Sequence, residues 1–424
     1  MSQLTTFVKP IPNNKVMNLL VHVNRFINLK GISLLKWIPL VNKMPIIRGF
    51  CDITKIEFSK THENKLRSYI QPNTVAFIGP NHPEFYTDWM LDKEISARVA
   101  PKMASWATHE VVNGMGKTMQ NFWLKNNLIA QIPGSGNKEA KDYSVEHALN
   151  GHAVLLHPEG HVGWHSDVIA PLFSGIFEMA YQAYIQSNGE KPVYIVPVVW
   201  KLSFNKNALN ELHKEISFIE KNLHFQNSSE LDITQRVYGL FLTQFQQIAS
   251  KYDIFTQSNS IVEIQQKIKN QLMQKIANKL NYSLSSDFIY DLKKLNQLNR
   301  EIKNKDIKKQ LSDLTNVSDF KFHYYSEKIS QENIAELLKK FRIRFCTKGF
   351  LNNFHKFIPV PVSDRTAFIE VPDAICLNDV IGNKNMSKDE ILTELQNRMQ
   401  NQLNIINSKL VENNKVIFYH NPLN

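Results

Sequence analysis

Cysteine is nearly absent from the chain: Cys51, Cys346 and Cys376 are odd in number and far apart. That spacing excludes a disulfide framework and a thiolate zinc cluster, and it suits a reducing compartment. Glycine and proline are also sparse, 15 and 17 in 424 residues, so long flexible linkers are not expected. No run of about 18 uncharged apolar residues occurs, so nothing in the sequence reads as a spanning helix. The opening MSQLTTFVKPIPNNK lacks the charged-then-apolar order of a secretory signal, and the expected location is the cytoplasm. Acidic residues are the minority charge: 39 Asp and Glu against 50 Lys and Arg leave a net charge of +11. A balance of that size calls for an anionic partner, whether nucleic acid, lipid headgroups or coenzyme phosphates.

Hydrophobic residues make up 43% of the chain, enough to bury a sizeable core at a length that suits two or three domain-sized units. Residues 1–50 contain two amphipathic basic segments, 15–29 and 32–43, in which Leu, Ile, Phe and Trp alternate with Lys and Arg. Such segments suit either a helix lying in a bilayer surface or a helical hairpin packed on the core. Residues 51–205 alternate apolar strands (52–58, 75–79, 128–132, 153–157, 193–200) with helical stretches (84–97, 115–126, 140–150, 172–187). The expected fold class is therefore α/β, with a mostly parallel central sheet flanked by helices. From 206 to 355 apolar residues recur at spacings of three and four, as in Ile261, Ile264, Ile268, Leu272 and Ile276, which reads as an all-helical insertion. Residues 356–424 return to strand chemistry and then to a last helix opened by Ser387 and Glu390, a capping-box pair.

Two strand ends carry candidate chemistry. The run Val75–Ile78 stops at Gly79-Pro80 and places Asn81 and His82 in a turn, with Asp88 on a helix just beyond. A histidine oriented by a carboxylate is a natural general base. The strand 153–157 likewise runs into His157-Pro158-Glu159-Gly160, and Gly160 permits close backbone approach to a ligand. His157, His161 and His165 are spaced by four, but Pro158 and Gly160 break the single helical face that a zinc site of this spacing needs. No metal is expected. Pro197, inside IVPVVW, suggests a strand edge, end or bulge.

Taken in order, Asn81-His82 with Asp88, Pro158-Glu159-Gly160, Phe173–Gly175 and Ile195–Val199 resemble the conserved blocks of the glycerolipid acyltransferases, the 1-acylglycerol-3-phosphate acyltransferase family. The resemblance covers about residues 70–205. It implies transfer of a fatty acyl group from acyl-CoA or acyl carrier protein to a hydroxyl of a lysolipid-type acceptor, with no permanently bound cofactor. It also implies His82 and Asp88 as the catalytic pair, and Glu159, Gly160, His161 and Gly175 around the substrate. A peripheral position on a membrane surface goes with that function, and nucleic acid is not an expected partner. Three departures stand out. Five residues, not four, separate His82 from Asp88, which makes Glu84 a rival partner for the imidazole. His161-Val162 replaces Thr-Arg after the Glu-Gly pair, and the middle block 130–134 carries no Arg, leaving Lys138 and Lys141 as stand-ins for phosphate recognition. Two other readings remain open: a basic helical binding module on a degenerate scaffold, and a lipid acyl hydrolase.

Overall fold

A computed structural model of the chain describes residues 7–30, 38, 51–132, 136–160, 162–163, 165–225, 231–256, 258–321, 324, 326–346, 362–421 and 423. The chain divides into two compact units, one of residues 1–206 with 357–415, the other of 207–356 with 416–424.

The first unit is an α/β domain. Its strands are β1 (Ile53–Phe58), β2 (Val75–Pro80), β3 (Ala104–Thr108), β4 (Leu128–Gln131), β5 (Val154–Leu155) and β6 (Val193–Phe204), and residues late in the chain add Arg365–Glu370 and Ile375–Cys376. Helices Lys60–Tyr69, Thr87–Val99, Gly116–Lys125, Lys138–Leu149 and Gly175–Gln186 fall between successive strands. A short strand, β7 (Lys328–Ser330), belongs to the second unit, so the two late strands are β8 and β9. The sheet order is β1-β8-β6-β2-β5-β3-β4, with β9 also paired to β6. Every pairing is parallel except those of β6 with β8 and with β9. The continuous apolar character of β2 follows from this position: all six of its residues are buried between neighbours on both sides. Met90, Leu91 and Ile95 of helix Thr87–Val99 pack with Trp200, Val198 and Ile78 in the main core.

Pro197 stands in the middle of β6, within a twelve-residue strand. One side of β6 is paired to β2 through it. On the other side β9 ends at Ile195 and β8 begins at Val199, so the missing proline N–H faces the gap between two partners. The strand tolerates proline there because no ladder bond is lost. Strand β3 (ASWAT) is short and broken by Ser105 and Thr108, and helix Lys60–Tyr69 has few apolar residues, so neither stands out in the sequence.

The amphipathic segment 15–29 is helical, an α-helix Asn14–Asn24 that runs into a π-helical stretch Arg25–Lys30. Its Asn24 side chain donates to the Met90 carbonyl (3.0 Å), and Arg25 pairs with Glu94 (2.7 Å). Apart from residue 38, the expected segment 32–43 lies outside the described residues. The last helix is Lys388–Glu412, and Ser387 with Glu390 forms the capping box read from the sequence. Its buried stripe runs from Ile391 through Leu395, Met399, Leu403 and Ile406 to Leu410.

The second unit is mostly helical, with strand β7 inside the stretch expected to be all helical. Ile261, Ile264, Ile268, Leu272 and Ile276 are buried along one face of helix Ile261–Lys279. Phe241, Phe320 and Phe341 meet edge-on or tilted, with ring centroids 4.7 to 5.3 Å apart. A small antiparallel pair, β7 with β10 (Phe418–His420), completes this unit among the described residues.

Candidate functional site

Strands β2 and β5 are parallel neighbours, so the turns that follow them emerge at the same edge of the sheet. Crevices at the carboxyl ends of parallel strands are where open α/β sheets place chemistry. His82 leaves β2 there and His157 leaves β5, and their rings stack with centroids 4.1 Å apart and planes 14° from parallel.

The turn after β2 is anchored by Asn81, whose buried amide exchanges two hydrogen bonds with the Trp200 backbone. Its Oδ1 accepts the Trp200 N–H and its Nδ2 donates to the Trp200 carbonyl, both at 2.9 Å. His82 then meets Asp88, with Nε2 2.5 Å from Oδ2. The other Asp88 oxygen accepts the Trp89 N–H at 2.6 Å. Between them Tyr86 adopts φ +72° immediately before helix Thr87–Val99, and this reversal absorbs the fifth intervening residue. A side chain in that region costs about 1–3 kcal/mol. The Tyr86 ring packs edge-on against Trp89 (5.6 Å) and its hydroxyl donates to Asn28 Oδ1 (2.9 Å), which hold the conformation in place. Glu84, the rival partner, accepts instead from Arg365 and from the Thr87 hydroxyl, both at 2.9 Å.

The proton inventory of this pair follows from its partners. With Asp88 on Nε2, the Nε2–H tautomer leaves Nδ1 with its lone pair, and that buried atom has no partner among the described residues. Burial first, and then the neighbouring His157, hold His82 below its usual 6.5, against the pull of Asp88. Burial pushes Asp88 up, but the hydrogen bond and charge of His82 outweigh it and keep the carboxyl below the usual range. A neutral imidazole beside a carboxylate, with one nitrogen open, is the resting state of a general base.

Glu159 is 2% exposed, and each of its oxygens receives a backbone N–H. Oε1 accepts from His82 at 2.6 Å and Oε2 from Ala170 at 2.8 Å. The side chain thereby ties the turn after β5 to the histidine itself. Gly160 has φ +67°, and a Cβ there would stand 2.6 Å from the Phe173 ring. Its N–H donates to the His157 carbonyl (3.0 Å), closing the turn internally. Gly160→Ala should therefore destabilise the unit by roughly 1–3 kcal/mol, measurable by chemical denaturation. Gly175 opens helix Gly175–Gln186, and a Cβ at that position would meet nothing within 4 Å. His161 lies outside the described residues. Lys138 is exposed, and Lys141 is paired with Glu178 at 2.6 Å.

Three participants were not singled out from the sequence as site residues. Asp92 lies 2.9 Å from His157 Nε2, His157 stacks on His82, and Arg365 reaches Glu84 from β8. Asp92 had a signal: it follows Asp88 by four, so both carboxylates lie on one helix face. Arg365 had none, being 281 residues from its partner. His82, Asp88 and His157 each bring a potential ligand atom within 4.8 Å of the others, but both His157 nitrogens already face oxygen acceptors, which leaves it no lone pair for a cation. No protein-family model matches this chain, and no curated protein matches it.

Proposed function

We propose that the chain is an O-acyltransferase that moves a fatty acyl group from a thioester, acyl-CoA or acyl carrier protein, to a hydroxyl of a lysolipid-type acceptor. The observation that carries this reading is the His82 ring, bonded to Asp88 at 2.5 Å through Nε2 with a buried Nδ1 that has no partner among the described residues, at the carboxyl end of a central parallel strand. The acceptor hydroxyl gives its proton to Nδ1 as its oxygen attacks the thioester carbonyl carbon. The new C–O bond forms, the C–S bond breaks, and the imidazolium returns the proton to the departing thiolate. Asp88 stabilises that imidazolium and keeps Nε2 as the donor nitrogen. Glu159, with both oxygens on backbone N–H groups, acts through the placement of His82. The deciding assay supplies radiolabelled acyl-CoA or acyl carrier protein with a panel of lysolipids on vesicles. Labelled product that requires the acceptor supports transfer, and release of free fatty acid alone indicates hydrolysis. Absence of both from either donor overturns the reading.

Contact with a membrane surface belongs to the same proposal. Leu19, Val23 and Phe26 are 56%, 39% and 53% exposed at spacings of four and three along residues 14–30, while Met17, Leu20 and Asn24 are buried on the opposite side. Among the described residues no helix is long and apolar enough to cross a membrane, so the stripe suits a surface position. Burying a Leu or Phe side chain is worth about 1.5–3 kcal/mol. Leu19→Glu with Phe26→Glu should therefore weaken co-sedimentation with anionic vesicles by about tenfold or more. Binding lost to salt while the double variant behaves as wild type would point to charge alone.

A further inference from the structure

The proposed reaction uses His82 and leaves the second histidine without a role. The two form a repeated unit: each terminates a strand of the same parallel pair, and each meets a carboxylate one turn apart on helix Thr87–Val99. Their ring nitrogens are nevertheless engaged differently. His82 has one acid partner and one open nitrogen. His157 has oxygen on both sides: Asp92 Oδ2 is 2.9 Å from Nε2, and the Pro80 and Asn81 carbonyls are 3.2 and 3.1 Å from Nδ1. Carbonyl oxygens only accept, so Nδ1 carries a hydrogen, and the carboxylate draws a second onto Nε2. Both nitrogens are satisfied as donors only in the imidazolium.

Resting on the acyl-transfer reading, we propose that His157 is a positioning residue, a buried imidazolium whose charge, stacked on His82, keeps the His82 ring unprotonated and open to the acceptor's hydroxyl proton. A second positive ring at 4.1 Å, away from water, would meet strong repulsion. The groups facing this stack are Asp88 and Asp92 from the helix, Glu159 from the turn after β5, and the two rings themselves. Lys93 interacts with Asp92. The balance among them agrees with the geometry. Burial opposes the charge on His157, but Asp92, Asp88 and Glu159 together raise it to about 9. His82 moves the other way, depressed by burial and then by His157.

The arrangement also explains why two such similar pairs would divide their labour. The same helix supplies both acids, and the difference comes from the carbonyls of the turn after β2, which close the second nitrogen of His157 and leave that of His82 free. His157 also holds that turn mechanically, so loss of rate in a variant would not by itself separate charge from structure. The titration of His82 does.

The test is imidazole NMR of the full chain across pH 4.5–9.5, with His82→Ala identifying the His82 signals. In wild type, His157 should be protonated at neutral pH and His82 neutral. In His157→Phe, which keeps a stacked ring without charge, the His82 midpoint should rise by about one unit or more. The acid limb of acyl transfer in kcat/KM should rise by the same amount. His157→Gln serves as the second variant if the Phe variant does not fold. A neutral His157 in wild type at pH 7, or an unmoved His82 midpoint in a folded variant, would overturn the proposal. A purely structural role would slow the reaction and leave the midpoint where it was. The titration requires no substrate, so a chain without transferase activity sinks the enzymatic reading and leaves the charge relation separately measured.

Discussion

His82→Ala should lower the proposed acyl transfer by about 10²–10⁴-fold, the range a positioned general base supplies, while the fold persists. Among the described residues the side chain makes one hydrogen bond, to Asp88, and the backbone N–H that Glu159 accepts survives the substitution. Asp88→Asn should cost nearly as much for a different reason. The amide keeps the shape but can donate to Nε2, which moves the ring hydrogen to Nδ1 and removes the lone pair from the nitrogen that the proposed reaction uses. The two substitutions act on one unit, so the double variant should be scarcely worse than His82→Ala alone. The pH profile carries the same logic. The proposed transfer needs His82 neutral, and burial with His157 holds its protonation below the usual 6.5, so the rate should be sustained to below pH 6.5 and fall only as the ring protonates. Steady-state rates of purified variants across pH, with far-UV circular dichroism as the folding control, would check all four statements. Full activity of folded His82→Ala would remove His82 from the reaction.

The second large effect is expected at Glu159, and it is structural first. Glu159→Ala strips the acceptors from the buried N–H groups of His82 and Ala170. An unpaired buried donor costs about 1–3 kcal/mol, so the loss should be roughly 2–6 kcal/mol if water does not enter. Glu159→Gln retains one oxygen and turns an NH₂ toward the other N–H, so it should fall between wild type and Ala. Because the carboxylate is occupied by the backbone on both sides, the variants should lower kcat by displacing His82, with little change in KM for the acceptor. Urea denaturation gives the stability order, and acceptor titration gives the kinetic split. A selective rise in acceptor KM, with stability intact, would instead mean that Glu159 holds the acceptor directly.

Much of the first unit was readable because its strands are short continuous apolar runs and its helices lie between them. That pattern is what burial on both faces of a parallel sheet requires. Strand β3 was not readable, since Ser105 and Thr108 make ASWAT unremarkable out of context and only pairing with β4 and β5 defines it. Helix Lys60–Tyr69 buries only Glu63 and Leu66, too few positions for a period to show. Proline in β6 reads as a disruption in one dimension, and only the end of β9 and the start of β8 show that its missing N–H has no bond to lose.

The sequence by itself determined the α/β class, helix periodicity such as that of Ile261 to Ile276, and the polar residues His82, Glu159 and Gly160 after strand ends with Asp88 just beyond, because apolar periodicity and turn chemistry are local properties. Only the tertiary structure decided which carboxylate meets which imidazole. Asp88 rather than Glu84 reaches His82 because Tyr86 reverses the backbone at φ +72° and Arg365, far along the chain, takes up Glu84. Only sheet order brings His157 onto His82, since β2 and β5 are separated in sequence and adjacent in the sheet. Contacts of that kind depend on which strands pair, a choice made by packing over the whole domain and carried by no single stretch of residues.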